Sequence, residues 1–160
     1  VYFDVSAVIY GVILFFGCGA CYFFCLAAHD GAFIWKFKTA GSVYSSPEVV
    51  NGKVFFGSHD CNFYALNAKD GGLKWVFKTG GEKRYAATGI HGWLPKDSIY
   101  TDLWDFWLSS PAMQNNTVYF GTGDGNFYAL DAKPGRKTWT FTTEVIIHSS
   151  LEIAFRIVYF

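Results

Sequence analysis

The chain has 160 residues, no formal net charge from 13 basic and 13 acidic side chains, and 51% apolar against 16% charged residues. That hydrophobicity excludes a disordered chain, and the lack of any basic run or stripe excludes a protein that tracks nucleic-acid phosphates. Aromatic residues at 21%, with 17 glycines for tight turns, predict an all-β protein, because aromatic side chains suit half-buried pleated surfaces.

The first segment poses a choice. Residues 5–28 carry no charge, and Val12-Ile13-Leu14-Phe15-Phe16 is strongly apolar. That length could span a bilayer. It also resembles the apolar part of a secretory signal, with Phe16-Gly17-Cys18 or Gly19-Ala20-Cys21 as a poor lipidation box. No Lys or Arg precedes it, so the positive segment of a signal is missing. The third reading, a divergent first unit of a repeat, is favoured by the register of the units that follow. Val1 in place of an initiator Met, and a last stretch Ile157-Val158-Tyr159-Phe160 that reads as mid-strand, suggest a segment of a longer protein.

The repeat is legible from Ser45 onward. Ser45-Ser46-Pro47 recurs as Ser109-Ser110-Pro111 and, loosely, as Ser149-Ser150-Leu151. Val54-Phe55-Phe56-Gly57 recurs as Val118-Tyr119-Phe120-Gly121, with Leu14-Phe15-Phe16-Gly17 before and Val158-Tyr159-Phe160 after. Asn62-Phe63-Tyr64-Ala65-Leu66-Asn67-Ala68 recurs as Asn126-Phe127-Tyr128-Ala129-Leu130-Asp131-Ala132, and Trp35, Trp75 and Trp139 close each unit. Gly17 to Gly57 and Trp35 to Trp75 are each 40 residues apart, whereas Gly57 to Gly121 and Trp75 to Trp139 are each 64. One junction therefore carries 24 extra residues.

Each unit reads as four short strands. In the second they are placed at 46–50, 53–58, 62–67 and 73–78, with turn signals at Asn51-Gly52, His59-Asp60 and Asp70-Gly71-Gly72. In the third the turns are Asn115-Asn116, Gly123-Asp124-Gly125 and Pro134-Gly135. Four strands in about 40 residues is the period of a propeller blade, and no long helical periodicity competes with it. The expected division of this partial β-propeller, 1–160, is a divergent blade over 5–44, a blade over 45–80, an inserted loop over 81–108, a blade over 109–148 and the start of the next blade over 149–160.

Ala65-x-Asn67-x-x-x-Gly71-x-x-x-Trp75 and Ala129-x-Asp131-x-x-x-Gly135-x-x-x-Trp139 resemble the tryptophan-docking motif of PQQ-type, quinoprotein-like propellers. The resemblance covers nearly the whole chain. It implies antiparallel four-stranded blades with each Trp wedged between neighbours, so Trp35, Trp75 and Trp139 are expected to be structural. A flat ring buries much apolar area, and small residues let it approach backbone. The first unit, Cys25-x-Ala27-x-x-x-Gly31-x-x-x-Trp35, keeps Gly and Trp but loses the first Ala and the Asn or Asp.

The insertion holds Trp93, Trp104 and Trp107 beside Lys83, Arg84, His91, Lys96, Asp97, Asp102 and Asp105. A connection this long is either a binding element or a hydrophobic flap packed on itself. Arg84, Tyr85, His91, Trp93, Trp104 and Trp107 form the candidate binding surface, for a protein partner or a small ligand. Gly81-Glu82-Lys83-Arg84-Tyr85 with Gly89-Ile90-His91-Gly92 resembles an insertion of some bacterial PQQ-like repeat proteins.

Cys18-x-x-Cys21, near Cys25 and His29, invites a zinc or redox reading. The alignment instead puts Cys21 level with Cys61 and Gly125 at a turn, and no metal is expected. His59 and His148 are expected to be bland, and Asp60 and Asp124 to form turns. The resemblance also carries a catalytic branch, which holds PQQ with Ca²⁺ and an Asp base, and in its alcohol oxidisers a disulfide between adjacent cysteines. No Cys-Cys pair occurs here and no calcium-ligand set can be matched, so no catalytic residue and no cofactor is assigned. The resemblance to the BamB-like, non-catalytic branch implies a scaffold or binding module in the periplasm or otherwise outside the cytoplasm. A fragment of a PQQ-dependent alcohol or sugar dehydrogenase is the alternative.

Overall fold

A computed structural model describes residues 7–80, 84–86, 99–101, 109–143, 147, 151–154 and 157–159. Among these there is no helix. The first blade is β1 (Ala7–Tyr10), β2 (Ile13–Cys18), β3 (Tyr22–Ala27) and β4 (Phe33–Lys38). The second is β5 (Glu48–Val50), β6 (Lys53–Ser58), β7 (Asn62–Asn67) and β8 (Leu73–Lys78). In the insertion, β9 (Arg84–Ala86) pairs with β10 (Ile99–Thr101). The third blade is β11 (Ala112–Gln114), β12 (Thr117–Gly121), β13 (Asn126–Asp131) and β14 (Arg136–Thr142), and β15 (Glu152–Ala154) with β16 (Ile157–Tyr159) follows it. Each blade is an antiparallel meander in strand order, as the PQQ-type propeller reading requires.

Residues 7–28 therefore form strands and turns of a blade, and no helix among the described residues is long and apolar enough to cross a membrane. Two expectations needed correction. The second blade's first strand starts at Glu48 rather than at residue 46. Pro47 has no N–H to give a ladder, and the Ser45 hydroxyl takes over the pairing. Ser45 Oγ accepts from the Gly57 N–H at 2.9 Å and donates to the Gly57 carbonyl at 3.1 Å. Ser109 clamps Gly121 in the same way. The insertion, expected as a loop, contains a two-stranded ribbon that sets Tyr85 opposite Tyr100.

The turns follow their chemistry. Asn51 and Gly52 both have positive φ, as do Asn115 and Asn116, which is the type I′ pattern whose twist suits a two-residue hairpin. In the matching Gly11-Val12 turn of the first blade only Gly11 is positive, the type II′ pattern.

The core lies between blades rather than within one. One buried cluster joins Phe15, Phe23 and Trp35 to Phe56, Tyr64 and Leu66. The other joins Phe55, Phe63 and Trp75 to Phe120, Tyr128 and Leu130. Phe23 stacks face to face on Phe56 with centroids 4.1 Å apart, and Phe63 on Phe120 at 3.8 Å. The indoles sit beside these stacks. Trp35 donates its ring N–H to the Ala68 carbonyl at 3.2 Å, and Trp75 donates to Ala132 at 3.1 Å. A Cβ on Gly71 would lie 2.7 Å from the Trp35 ring, and one on Gly135 only 2.4 Å from that of Trp75. Each indole faces a small residue on its own blade, Cys25 or Ala65, where a repeated bulge shifts the register.

Trp139 differs from its two counterparts. It packs on Tyr119 and Phe127 of its own blade, and 45% of it is exposed. Its counterparts rest on the fourth-strand hairpin of the following blade. After Trp139 the described residues hold only the first two strands of such a blade.

A second lock sits at the other end of each junction. Asp60 Oδ2 accepts the Ala40 N–H at 3.0 Å and the Tyr64 hydroxyl at 2.6 Å. Asp124 Oδ2 accepts the Gly80 N–H at 2.7 Å and the Tyr128 hydroxyl at 2.6 Å. Ala40 and Gly80 belong to the links from the preceding blade, so each carboxylate ties one blade to the next. Burial first, then the bond to Asp124 and its charge, pushes the Tyr128 phenol up to about 12. Burial and Asp60 raise Tyr64 as well.

Two tests follow from these contacts. Replacing Trp75 with Ala should cost about 3–5 kcal/mol in urea unfolding, and the same change at the half-exposed Trp139 less than half of that. The Tyr128 pKa lies higher in the folded chain than the ordinary phenol value near 10, so the unfolded chain loses its proton first. Stability is then full below about pH 10 and falls towards about pH 12. Thermal melts of Tyr128→Phe across that window should fall less steeply than those of the parent.

Candidate functional site

Blades two and three meet in a cleft where the insertion leaves and returns. Its walls are Gly57, Ser58, Cys61, Asn62 and Thr79 on one side, and Ser109, Gly121, Thr122 and Gly123 on the other, over a floor of Phe63 and Phe120. Ser58 and Thr122 bring hydroxyl groups to the cleft because both turns use Ser or Thr to brace the segment of Asp60 or Asp124. The cleft's volume of about 30 Å³ has room for a water or two, not for a fused-ring quinone. Among the described residues, no three His, Cys, Asp or Glu side chains gather closely enough to hold a metal ion.

Asp124 fixes the point of departure. Gly80 is the last described residue before the gap at 81–83, and its N–H is held by a carboxylate that is 9% exposed. A Cβ on Gly80 would come within 2.8 Å of that carboxylate, so glycine allows the close approach. Asp124 also accepts from the Asn126 N–H at 2.8 Å and bonds the Thr122 hydroxyl, which satisfies both oxygens. The return at Ser109 is fixed by its bonds to Gly121.

The candidate surface residues fall unevenly. Arg84 and Tyr85 lie on β9. His91, Trp93, Trp104 and Trp107 lie outside the described residues, as does His148. By repeat register Trp107 is level with Val43 and Ile147, which are buried under Gly17 and Gly121. His59 packs edge-on to Tyr44 at 5.4 Å. Asp60 and Asp124 do brace their turns, but their inter-blade bonds were missed in the sequence. So was Glu48 on the inner strand β5, whose carboxyl is raised by burial. The register signals it faintly, because Glu152 stands at the same place one blade on from Ala112.

A second recess, about 370 Å³ and apolar, lies among Phe127, Trp139, Phe141 and Val158. At the two complete junctions the matching face is covered by the following blade.

Solved structures share this fold. BamB from Moraxella catarrhalis superposes with a TM-score of 0.72 at 20% identity, over 97% of this chain and 41% of that one. A quinohemoprotein alcohol dehydrogenase from Pseudomonas putida HK5 gives 0.63 at 21% identity, over 89% of this chain and 21% of that one. In sequence, 37 residues are 49% identical to the quinoprotein alcohol dehydrogenase PedE of Pseudomonas putida, covering 23% of this chain and 6% of that protein. The chain thus spans less than half the length of each of these proteins. Residues 5–91 and 100–160 match the PQQ-type family model described as outer membrane protein assembly factor BamB, and the chain belongs to that family.

Proposed function

We propose that the chain is part of a non-catalytic β-propeller that scaffolds or binds other proteins outside the cytoplasm, in the periplasm, with the 81–108 insertion as its binding element. Membership of the family described as an outer membrane assembly factor supports the compartment and the class of partner. The observation that carries the binding site is the anchoring of the insertion. Its first residue follows a backbone amide held by buried Asp124, and its last precedes a serine clamped to Gly121. A rigid frame lowers the entropy lost when such an element meets a partner. Aromatic residues with Arg and His are the composition of an interface centre. No cofactor enters this reading.

The second reading, a fragment of a PQQ-dependent dehydrogenase, rests on the local likeness to the quinoprotein alcohol dehydrogenase PedE. Under it, PQQ and Ca²⁺ would lie in parts of a ring that these blades do not supply.

The chain provides its own control for the test. Residues 41–44 make the short link at the first junction, so Gly-Ser-Val-Tyr can replace 81–108. The swapped protein should keep its β-sheet circular dichroism and lose at least about tenfold in affinity for cognate outer-membrane-protein assembly components by surface plasmon resonance. Unchanged affinity would reject the insertion as the binding element. Dye-linked alcohol oxidation by the longer protein that carries these blades, after reconstitution with PQQ and Ca²⁺, should give no turnover above background, and turnover would favour the dehydrogenase.

A further inference from the structure

The turn between the second and third strands is built alike in blades two and three, and differently in blade one. In blade two Ser58 pairs with Asn62 across a turn in which Cys61 has φ 63° and donates its N–H to the Ser58 carbonyl at 3.1 Å. In blade three Gly125, φ 74°, donates likewise to Thr122. Both turns are braced from inside by an aspartate. Asp60 accepts the Asn62 N–H at 3.1 Å and Asp124 that of Asn126 at 2.8 Å, with the Ser58 or Thr122 hydroxyl alongside.

Blade one keeps the backbone and loses the brace. Cys18 pairs with Tyr22, and Cys21 has φ 62°. The serine or threonine is Cys18, the aspartate is Ala20, the asparagine is Tyr22 and the latch tyrosine is Phe24. All four polar members of the brace are replaced together, and two of the turn's positions are cysteines. Residues first and fourth in a β-turn have Cα atoms within about 7 Å, which overlaps the span that a disulfide bridges. All four cysteines of the chain are thiols here; Cys18 is 6% exposed and Cys21 is partly exposed.

We propose that Cys18 and Cys21 close a disulfide that clasps this turn covalently, in the place where Asp60 and Asp124 brace the other two by hydrogen bonds. The more accessible Cys21 thiolate attacks one sulfur of a small disulfide such as oxidised glutathione and releases one glutathione thiol. The Cys18 thiolate then attacks Cys21 Sγ and releases the second. Two cysteine thiols are oxidised, one glutathione disulfide is reduced to two thiols, and the cysteine protons end on the released thiols. Cys25, whose thiol burial pushes up to about 11, is a poor competitor, and Cys61 follows a serine at the place that matches Cys18. The inference is independent of what the propeller binds.

The test is thiol trapping after equilibration of the folded chain with oxidised glutathione, read by intact mass and fragment mapping. Before trapping, the expected product is about 2 Da lighter than the reduced chain; after trapping, Cys25 and Cys61 are alkylated and Cys18 is joined to Cys21. Cys18→Ser should stop at a glutathione adduct on Cys21. A Cys25→Ala, Cys61→Ala double variant should still close the bond, which removes any doubt over pairing. Four alkylated thiols, a persistent adduct on the parent chain, or a bond from Cys21 to Cys25 or Cys61 would overturn the proposal.

Discussion

The structure depends on one recurring contact, an indole laid against a glycine of the next blade with its N–H on a backbone carbonyl. Trp35 and Trp75 make it in the same geometry across junctions of very different length. The ring buries a large apolar area at the junction, and the hydrogen bond fixes its rotation, since a buried indole N–H without an acceptor is costly. Gly71 and Gly135 are needed twice over. Their φ values of 71° and 72° favour glycine, and a side chain would strike the ring. The face-to-face phenylalanines and the aspartate latches then add register along the junction that the indole has closed.

This division of labour explains why an insertion is tolerated between the second and third blades. Their contact is made by Trp75, Phe63 and Asp124, none of which belongs to the insertion. Loop length costs little when the ends are already held together. The added residues are free to diverge, and the blade interface sets only where they begin and end. The proposed binding role uses this separation: the frame carries the stability, and the insertion carries the recognition.

Much of the fold was legible because the repeat samples each position several times. The spacing of Trp35, Trp75 and Trp139 and the Asn51-Gly52 turn placed three of the second blade's strands at their observed bounds. Pro47 shortened the remaining one for a reason that is itself in the sequence. The site was less legible. Asp60 and Asp124 look like local turn formers, and so they are, but their bonds to Ala40 and Gly80 reach across 20 and 44 residues. Periodicity does not reveal a contact of that kind. The signal lay in joint replacement, since Asp60 with Tyr64 and Asp124 with Tyr128 give way together to Ala20 with Phe24. The exposure of Trp139 was invisible for another reason: its burial depends on a surface outside its own unit.

The indole contact can be read directly from side-chain hydrogen exchange of the tryptophan ring N–H groups by NMR. The account requires slow exchange at Trp35 and Trp75, whose N–H groups are bonded and buried, and fast exchange at the half-exposed Trp139. Fast exchange at all three would contradict it.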